Sequence, residues 1–286
     1  MRYESPKTTR EAASLLSKEK GKAFVLAGGT DLLVQLRMDM IDPDLMVDIK
    51  RISAMNEIKK TAIGFKIGAA VSGRQLGANK ALVKAWPGVV EATNLIGSDQ
   101  IQGRCTMVGN LCNASPAADS VPAMIAAGAK AVVVGKTKRR TVAVENIVTG
   151  PGQTSLAKGE IIESITLPKR PAKSGDAYLR FIPRTEMDIA VVGVAVSLTC
   201  KRGVIDSARV SLGAVAPTPL LVKKAADAII GTKLDKEALE NLAAACSEAC
   251  NPINDKRGTV EYRVRVAGVL AKRAANIAFE RAGGKK

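Results

Sequence analysis

The chain has 286 residues, 47% of them hydrophobic and 24% charged, which is typical of a globular protein with two or three domains. It contains no histidine, so a Ser-His-Asp triad, a Cys-His pair and a histidine metal site are excluded within it, and its chemistry is expected to depend on a cofactor. The formal net charge of +16 predicts a basic surface facing solvent or an acidic partner protein. Nucleic-acid binding is not expected, because only 3% of the residues are aromatic.

Residues 1–57 are predicted to form a small α/β unit. Thr8 and Glu11 have the spacing of a capping box, which predicts a helix that begins there and is closed by Gly21. After it we predict a buried strand, a glycine turn, a short helix and a second strand, over residues 23–26, 28–29, 31–38 and 45–49.

Residues 58–172 change to an α+β pattern. Ile63, Phe65 and Ile67 alternate as in a half-buried strand, and Ser72 is expected to cap a helix through Leu76. Further helices are predicted over 81–95, interrupted at Pro87, and over 121–127, and strands over 131–134, 141–144 and 161–167. The run 135–137 (Gly-Lys-Thr) resembles the end of a nucleoside-triphosphate loop but lacks the upstream glycine, so a hairpin turn is predicted.

Residues 173–286 are predicted to form a separate C-terminal domain, reached through a Pro- and Lys-rich linker at 168–175. Its first half predicts an antiparallel sheet of three strands over 178–182, 189–199 and 208–215, with Gly203 in the last turn. Its second half predicts three helices, over 220–230, 236–250 and 260–281.

The cysteines and the chain start indicate the cellular environment. Five scattered cysteines form no C-x-x-C pair, so we expect small buried thiols rather than a zinc or iron–sulfur site: Cys105, Cys112, Cys200, Cys246 and Cys250. The first residues show no signal-peptide core, and no apolar run approaches the roughly 20 residues of a membrane span. A cytoplasmic location is therefore predicted.

Two segments carry the functional signal, residues 25–33 and residues 106–119. Each passes from apolar residues into Gly, Asn, Ser and Thr and then into an apolar helical pattern. Glycines allow a close backbone approach, and free N–H groups at a turn or a helix start favour an anion. If the two turns face each other, they can hold a diphosphate from both sides.

The same segments resemble the flavin-binding medium subunit of the molybdenum hydroxylases, the family of xanthine dehydrogenase and carbon monoxide dehydrogenase. The family's diphosphate loops are matched by Ala-Gly-Gly-Thr-Asp at 27–31 and Thr-Met-Val-Gly-Asn at 106–110. The continuation at 113–119 looks most like the xanthine dehydrogenase branch, and the runs 160–168 and 187–190 also fit. The resemblance implies a two-lobed FAD-binding domain of the PCMH type, with lobes at 1–57 and 58–172, followed by the C-terminal flavoprotein domain.

The resemblance also implies residue roles. Backbone N–H groups of the first turn hold the diphosphate, with Gly109 and Asn110 closing from the other side. Thr106 and Ser115 donate hydroxyl hydrogen bonds, and Asp119 accepts from the ribityl hydroxyls. From the residues alone, a plain N-cap of the next helix is the alternative role for Asp119. The remaining implied cofactor contacts are Leu26, Ala27, Gly28, Gly29, Thr30, Asp31, Ile162 and, by a weaker match, Arg180.

One departure from the family pattern is Val108, which stands where the family has the first glycine of Gly-Gly-Asn. Valine does not adopt a positive φ without cost, so we expect this position to be extended or the loop to be displaced, with lower flavin affinity. The cysteine-bearing insertion of family members with a four-iron cluster is absent, which predicts flavin alone on this chain.

The implied function is electron transfer within a complex. FAD on this chain takes electrons from a small subunit with two [2Fe-2S] clusters, which receives them from a large subunit with a molybdopterin-type molybdenum cofactor. The expected assembly is a dimer of heterotrimers without nucleic acid. Two other functions stay open: a stand-alone FAD-dependent oxidase or dehydrogenase of the same fold, and a basic binding protein without enzymatic activity. The residues do not specify the substrate or the final acceptor.

Overall fold

The N-terminal part of the chain is built on a parallel sheet with strand order β1-β3-β2. The computed structural model describes residues 1–284, and the basic tail Lys285–Lys286 lies outside them. The elements of this part are β1 (Arg2–Glu4), α1 (Thr9–Lys18), β2 (Ala23–Leu26), α2 (Leu32–Arg37) and β3 (Leu45–Asp48). All were predicted except β1, which is too short to show alternation.

Helix α1 differs from its prediction at both ends. The Thr8 hydroxyl accepts from the Glu11 N–H at 3.2 Å, but the Glu11 carboxylate accepts from the N–H of Lys7, so the capping box is only half formed. The helix ends at Lys18, and Gly21 does not close it. A Cβ at Gly21 would lie 2.0 Å from the Asp44 carboxylate, so this glycine makes room for that side chain.

The middle part contains an antiparallel sheet with strand order β4-β5-β10-β6-β7 and a separate hairpin, β8-β9. Its strands are β4 (Ile58–Thr61), β5 (Gly64–Gly68), β6 (Lys130–Val134), β7 (Arg139–Ala143), β8 (Val148–Gly150), β9 (Gln153–Thr154) and β10 (Ile161–Pro168). Its helices are α3 (Gly73–Ala78), α4 (Lys80–Ala85), α5 (Pro87–Asn94), α6 (Asp99–Gln102), α7 (Met107–Asn113) and α8 (Ser120–Ala126). The predicted turn at 135–137 joins β6 and β7, whereas β4, α6 and the β8-β9 hairpin were missed.

One hydrophobic core joins these two parts. Leu45 and Val47 of the parallel sheet belong to the same buried cluster as Ile67 and Ile165 of the five-stranded sheet and Leu111 of α7. Burial of one such side chain is worth about 1.5–3 kcal/mol. The shared core therefore fixes the glycine turn after β2 relative to α7.

The C-terminal part is an antiparallel sheet with strand order β11-β12-β13-β14, covered by three helices. Its elements are β11 (Ser174–Phe181), β12 (Val192–Lys201), β13 (Val204–Gly213), β14 (Leu220–Leu221), α9 (Lys223–Asp227), α10 (Lys236–Glu248) and α11 (Val260–Arg281). The predicted α+β fold class is confirmed. The three predicted strands are present, and the sheet has a fourth strand, the two-residue β14. Leu220 and Leu221 were predicted to begin a helix, but they pair with Leu212 and Ser211 of β13.

A second core lies between this sheet and α11. The helix turns a row of fully buried small residues toward the sheet, namely Ala267, Ala271, Ala274, Ala275 and Ala278. Small side chains let the helix backbone approach β11 closely. At Gly175 the approach is so close that a Cβ would lie 1.8 Å from the Ala278 carbonyl oxygen.

The thiols behave as predicted. All five cysteines are free, and each is buried or half-buried. In the part of the chain that the structure describes, no cluster of acidic and cysteine side chains could hold a metal ion. No helix within residues 1–284 is long and apolar enough to cross a membrane.

Gly175→Ala tests the contact between β11 and α11. The added methyl group must displace helix backbone, so we expect the free energy of unfolding to fall by at least about 2 kcal/mol. Gly135→Ala is the matched control, since a Cβ there meets its nearest atom at 3.6 Å. Denaturant unfolding measures both. Equal stability of the two variants would contradict the packing described here.

Candidate cofactor-binding site

A cavity of about 600 Å³ opens where the two glycine-containing segments meet. One wall is the turn between β2 and α2, and the other is the start of α7. Ile161 and Ile162 of β10 and the β8-β9 turn close the space between them. The cavity is of the size that holds small-molecule cofactors.

Gly28 joins the two walls. A Cβ at this position would lie 1.9 Å from the carbonyl oxygen of Arg104, so the two backbones are in direct contact. The sequence predicted a close approach of ligand to glycine, but at Gly28 the close approach is between two protein segments. Gly29 is required for another reason: its φ of +77° is a conformation that L side chains rarely adopt.

The first wall offers backbone donors. Residues 28–31 line the cavity, and their N–H groups donate no hydrogen bond to another described residue. The Lys50 ammonium lies beside the turn, 3.2 Å from the Ala27 carbonyl oxygen and 2.8 Å from the Asp48 carboxylate. A run of free N–H groups next to a lysine favours an anionic ligand.

The second wall is a helix start rather than a loop. Val108 lies inside α7, has no positive φ and is 7% exposed in the first core. The expectation that Val108 is extended is therefore wrong, because it is helical, and a helical residue needs no glycine. A displaced segment and a lower flavin affinity stay predictions.

The polar groups of α7 are largely used within the protein. The Thr106 hydroxyl caps the helix by accepting from the Gly109 N–H at 2.8 Å, and the Asn110 N–H donates to the Thr106 carbonyl oxygen at 3.0 Å. The Asn110 side-chain oxygen accepts from the Ser120 hydroxyl at 2.7 Å. This leaves the Asn110 amide nitrogen, without a partner among residues 1–284, as a donor for a ligand.

The structure brings most of the predicted site residues to one cavity and places the others outside it. Those lining the cavity are Ala27, Gly28, Gly29, Thr30, Asp31, Thr106, Gly109, Asn110 and Ile162. Those not lining it are Leu26, Ser115, Asp119 and Arg180. Leu26 is buried, and the Ser115 hydroxyl accepts from the Ala117 N–H at 3.3 Å.

The lining also contains Asn113, which the polar pattern of 106–119 indicated as a possible ligand contact. Sequence reasoning missed several other lining residues, namely Gln35, Cys105, Cys112, Gly152, Thr154 and Glu160. Gln35 follows Asp31 by one helical turn, so helix spacing could have indicated it. The dipeptide Pro151-Gly152 is a turn signal that marks the β8-β9 hairpin. Nothing local indicates that this hairpin reaches the cavity.

Asp119 connects the end of the second segment to the C-terminal sheet. Its carboxylate accepts from the Tyr178 hydroxyl at 2.9 Å and from the Arg180 guanidinium at 2.7 Å, and it makes no capping bond to α8. Burial raises the pKa of Asp119 to about 6, although Arg180 and Tyr178 both act to lower it. Asp119 is therefore neither a plain N-cap nor a wall of the cavity.

Two family models match the chain and together cover most of it. The model described as the FAD binding domain in molybdopterin dehydrogenase matches residues 1–170. The model described as the CO dehydrogenase flavoprotein C-terminal domain matches residues 177–278.

Individual relatives agree along the whole length. The carbon monoxide dehydrogenase medium chain of Afipia carboxidovorans is 32% identical over 280 residues, which are 98% of this chain and 97% of that one. A putative xanthine dehydrogenase FAD-binding subunit of Escherichia coli is 28% identical over 285 residues, covering 99% and 97%. The solved structure of reconstituted CO dehydrogenase from Oligotropha carboxidovorans matches with a TM-score of 0.94 at 32% identity and 98% coverage of both chains. The assignment to the xanthine dehydrogenase branch stays a prediction.

The Asp119 carboxyl group gives a testable pH dependence. Its pKa of about 6 in the folded chain lies above the ordinary value of 3.8, so the folded state holds this proton more tightly than the unfolded state. We therefore expect its contribution to the free energy of unfolding to decrease as the pH rises from about 4 to about 6. Denaturant unfolding of the native chain and of Asp119→Asn across this range measures the difference. A difference that grows in favour of the native chain with rising pH would refute this assignment.

Proposed function

This chain belongs to the family of FAD-binding domains of molybdopterin dehydrogenases, and on that premise we propose that it is the FAD-binding electron-transfer subunit of a molybdenum hydroxylase. The cavity between the β2–α2 turn and α7 would hold FAD. The bound cofactor would supply electron transfer from the iron–sulfur clusters of a partner subunit to a final acceptor. The observation that carries this proposal is the glycine turn with four free N–H groups lining a cofactor-sized cavity.

The residues present fit this cofactor. FAD carries a diphosphate, and the free N–H groups of residues 28–31 beside Lys50 are suited to hold it. Gln35, Asn110 and Asn113 supply side-chain groups for the ribityl chain, and Ile162 supplies an apolar contact for a ring. Gly109 contributes space rather than a donor, because its N–H is bonded to Thr106.

Four of the predicted FAD contacts do not line the cavity, namely Leu26, Ser115, Asp119 and Arg180. Their direct contact with FAD stays a prediction. The ion pair of Asp119 with Arg180 supports a positioning role. It ties the connection between α7 and α8, and through it the cavity wall, to β11.

The side chains of the cavity indicate which tasks belong to the cofactor and which to the chain. FAD supplies redox chemistry when bound, and the chain supplies binding, orientation and exclusion of water. Burial raises the pKa of the Cys105 thiol to about 11 and that of Cys112 to about 12. Both cavity thiols are therefore protonated at neutral pH and do not act as nucleophiles toward the cofactor.

We further propose the domain division 1–57, 58–172 and 173–286. The last boundary is supported by the separate hydrophobic core of the C-terminal part and by the two family-model matches. The relatives are chains of multi-subunit enzymes. On that basis we propose a heterotrimer with a [2Fe-2S] small subunit and a molybdenum large subunit, paired as a dimer of heterotrimers.

Gly28→Ala tests the site. The added methyl group forces the turn away from Arg104, so we expect at least a tenfold loss of FAD affinity. The measurement is the flavin absorbance retained per chain after incubation with FAD and gel filtration. Gly135→Ala should retain FAD at the native ratio, close to one per chain, and circular dichroism checks that both variants are folded.

Two results would contradict the proposal. One is a folded native chain that retains no flavin either alone or when co-expressed with its iron–sulfur and molybdenum subunits. The other is native FAD affinity in Gly28→Ala, which would place the cofactor elsewhere. Substrate oxidation by the chain without partner subunits would instead identify a stand-alone flavin enzyme.

A further inference from the structure

A second concave site shares no residue with the cofactor cavity. It is a groove of about 540 Å³ between α4 and α5 on one side and the start of β11 and the end of α11 on the other. The polar side chains that line it are Lys84, Arg170, Lys173, Ser174 and Arg281, and none of its lining residues is acidic. A groove with four cations and no carboxylate in its lining is a candidate anion site.

Two of the four cations are neutralised from outside the groove. Arg170 pairs with the buried carboxylate of Asp176, and Arg281 pairs with Glu91 at 3.0 Å. Lys84 and Lys173 form no ion pair with any described residue, and both are exposed. The groove lining therefore keeps two positive charges that no carboxylate of the described residues compensates, Lys84 on α4 and Lys173 just before β11.

Arg170 links the elements on the two sides of the groove. Its guanidinium lies over the Trp86 ring at 4.8 Å, donates from Nε to the Ser174 hydroxyl at 2.8 Å and also binds the Ala85 carbonyl oxygen and Asp176. Its Nη2 is buried and has no hydrogen-bond partner in the described part of the chain. Leaving such a donor unpaired is unfavourable, so this atom calls for an acceptor or a bridging water.

A purely structural interpretation accounts for only part of these observations. The Lys173 ammonium lies near Gly283, just past the end of α11, where a cation is favourable for the helix dipole. Lys84 lies in the last turn of α4 and has the same favourable position. Neither position supplies a carboxylate to these two ammonium groups.

We propose that the groove binds a small molecule bearing two anionic groups, phosphates or carboxylates. One anionic group lies beside Lys84 and the other beside Lys173, the two lining cations that no carboxylate pairs among the described residues. A ligand held in this way joins α4 and α5 of the first core to α11 of the second. Binding therefore also stabilises the junction between the two cores.

The test compares two double variants that lose the same charge. Lys84→Gln/Lys173→Gln removes the free cations of the groove, and Lys136→Gln/Lys138→Gln removes two exposed lysines of the β6–β7 turn. Pyrophosphate and malonate are titrated separately into the FAD-treated full chain by calorimetry at constant ionic strength. We expect at least tenfold weaker binding of the preferred probe in the groove variant and less than twofold change in the control.

The two probes distinguish the ligand chemistry, and thermal unfolding gives a second measurement. The bound probe should raise the Tm of the native chain and the control but not that of the groove variant. Saturable binding of neither probe, or equal weakening in both variants, would overturn the proposal. Flavin retention, measured on the same samples, is expected to be unchanged by either double variant, so this result is independent of the FAD assignment.

Discussion

The candidate site depends on one backbone contact, that of Gly28 with Arg104. These residues lie on segments far apart in the sequence, and the absence of a side chain at Gly28 lets their main chains touch. The contact sets the distance between the turn with the free N–H groups and the start of α7. The cavity is therefore a consequence of a contact between two segments of the same chain. The space beside that contact is what is left for a ligand.

Buried ionic groups connect this site to the C-terminal sheet. Arg180, whose side chain is 6% exposed, pairs with Asp119 at the end of segment 106–119. Arg170, whose guanidinium lies over the Trp86 ring, pairs with Asp176. Burying such pairs is costly, as the raised pKa of Asp119 indicates, so they contribute less to stability than to fixing one arrangement of neighbouring elements. In this chain the fixed arrangement is that of the cavity wall relative to β11.

Local patterns predicted the elements well because their signals are short-range. The sequence predicted the Thr8 and Ser72 caps, the strand before Gly28 and the two-residue turn at Gly203.

The features that the sequence did not predict depend on contacts between residues far apart in the chain. Helix α7 was mistaken for a loop because glycine and asparagine lower helix propensity, while burial of Leu111 in the core overrides it. The hydrogen-bond partners of Asp119, Tyr178 and Arg180, lie some sixty residues away, and no sequence pattern near Asp119 indicates them.

The titratable groups of the cavity explain what this chain contributes to catalysis. The two cavity thiols have raised pKa values, and a bidentate pair with Arg140 lowers the pKa of Glu160, so these groups keep one protonation state near neutrality. Burial raises the pKa of Asp31, the other titratable side chain of the lining. With no histidine in the chain, the acids and bases of this cavity are two carboxyl groups and two thiols. A site of this kind is suited to binding and orienting a redox cofactor that brings its own chemistry.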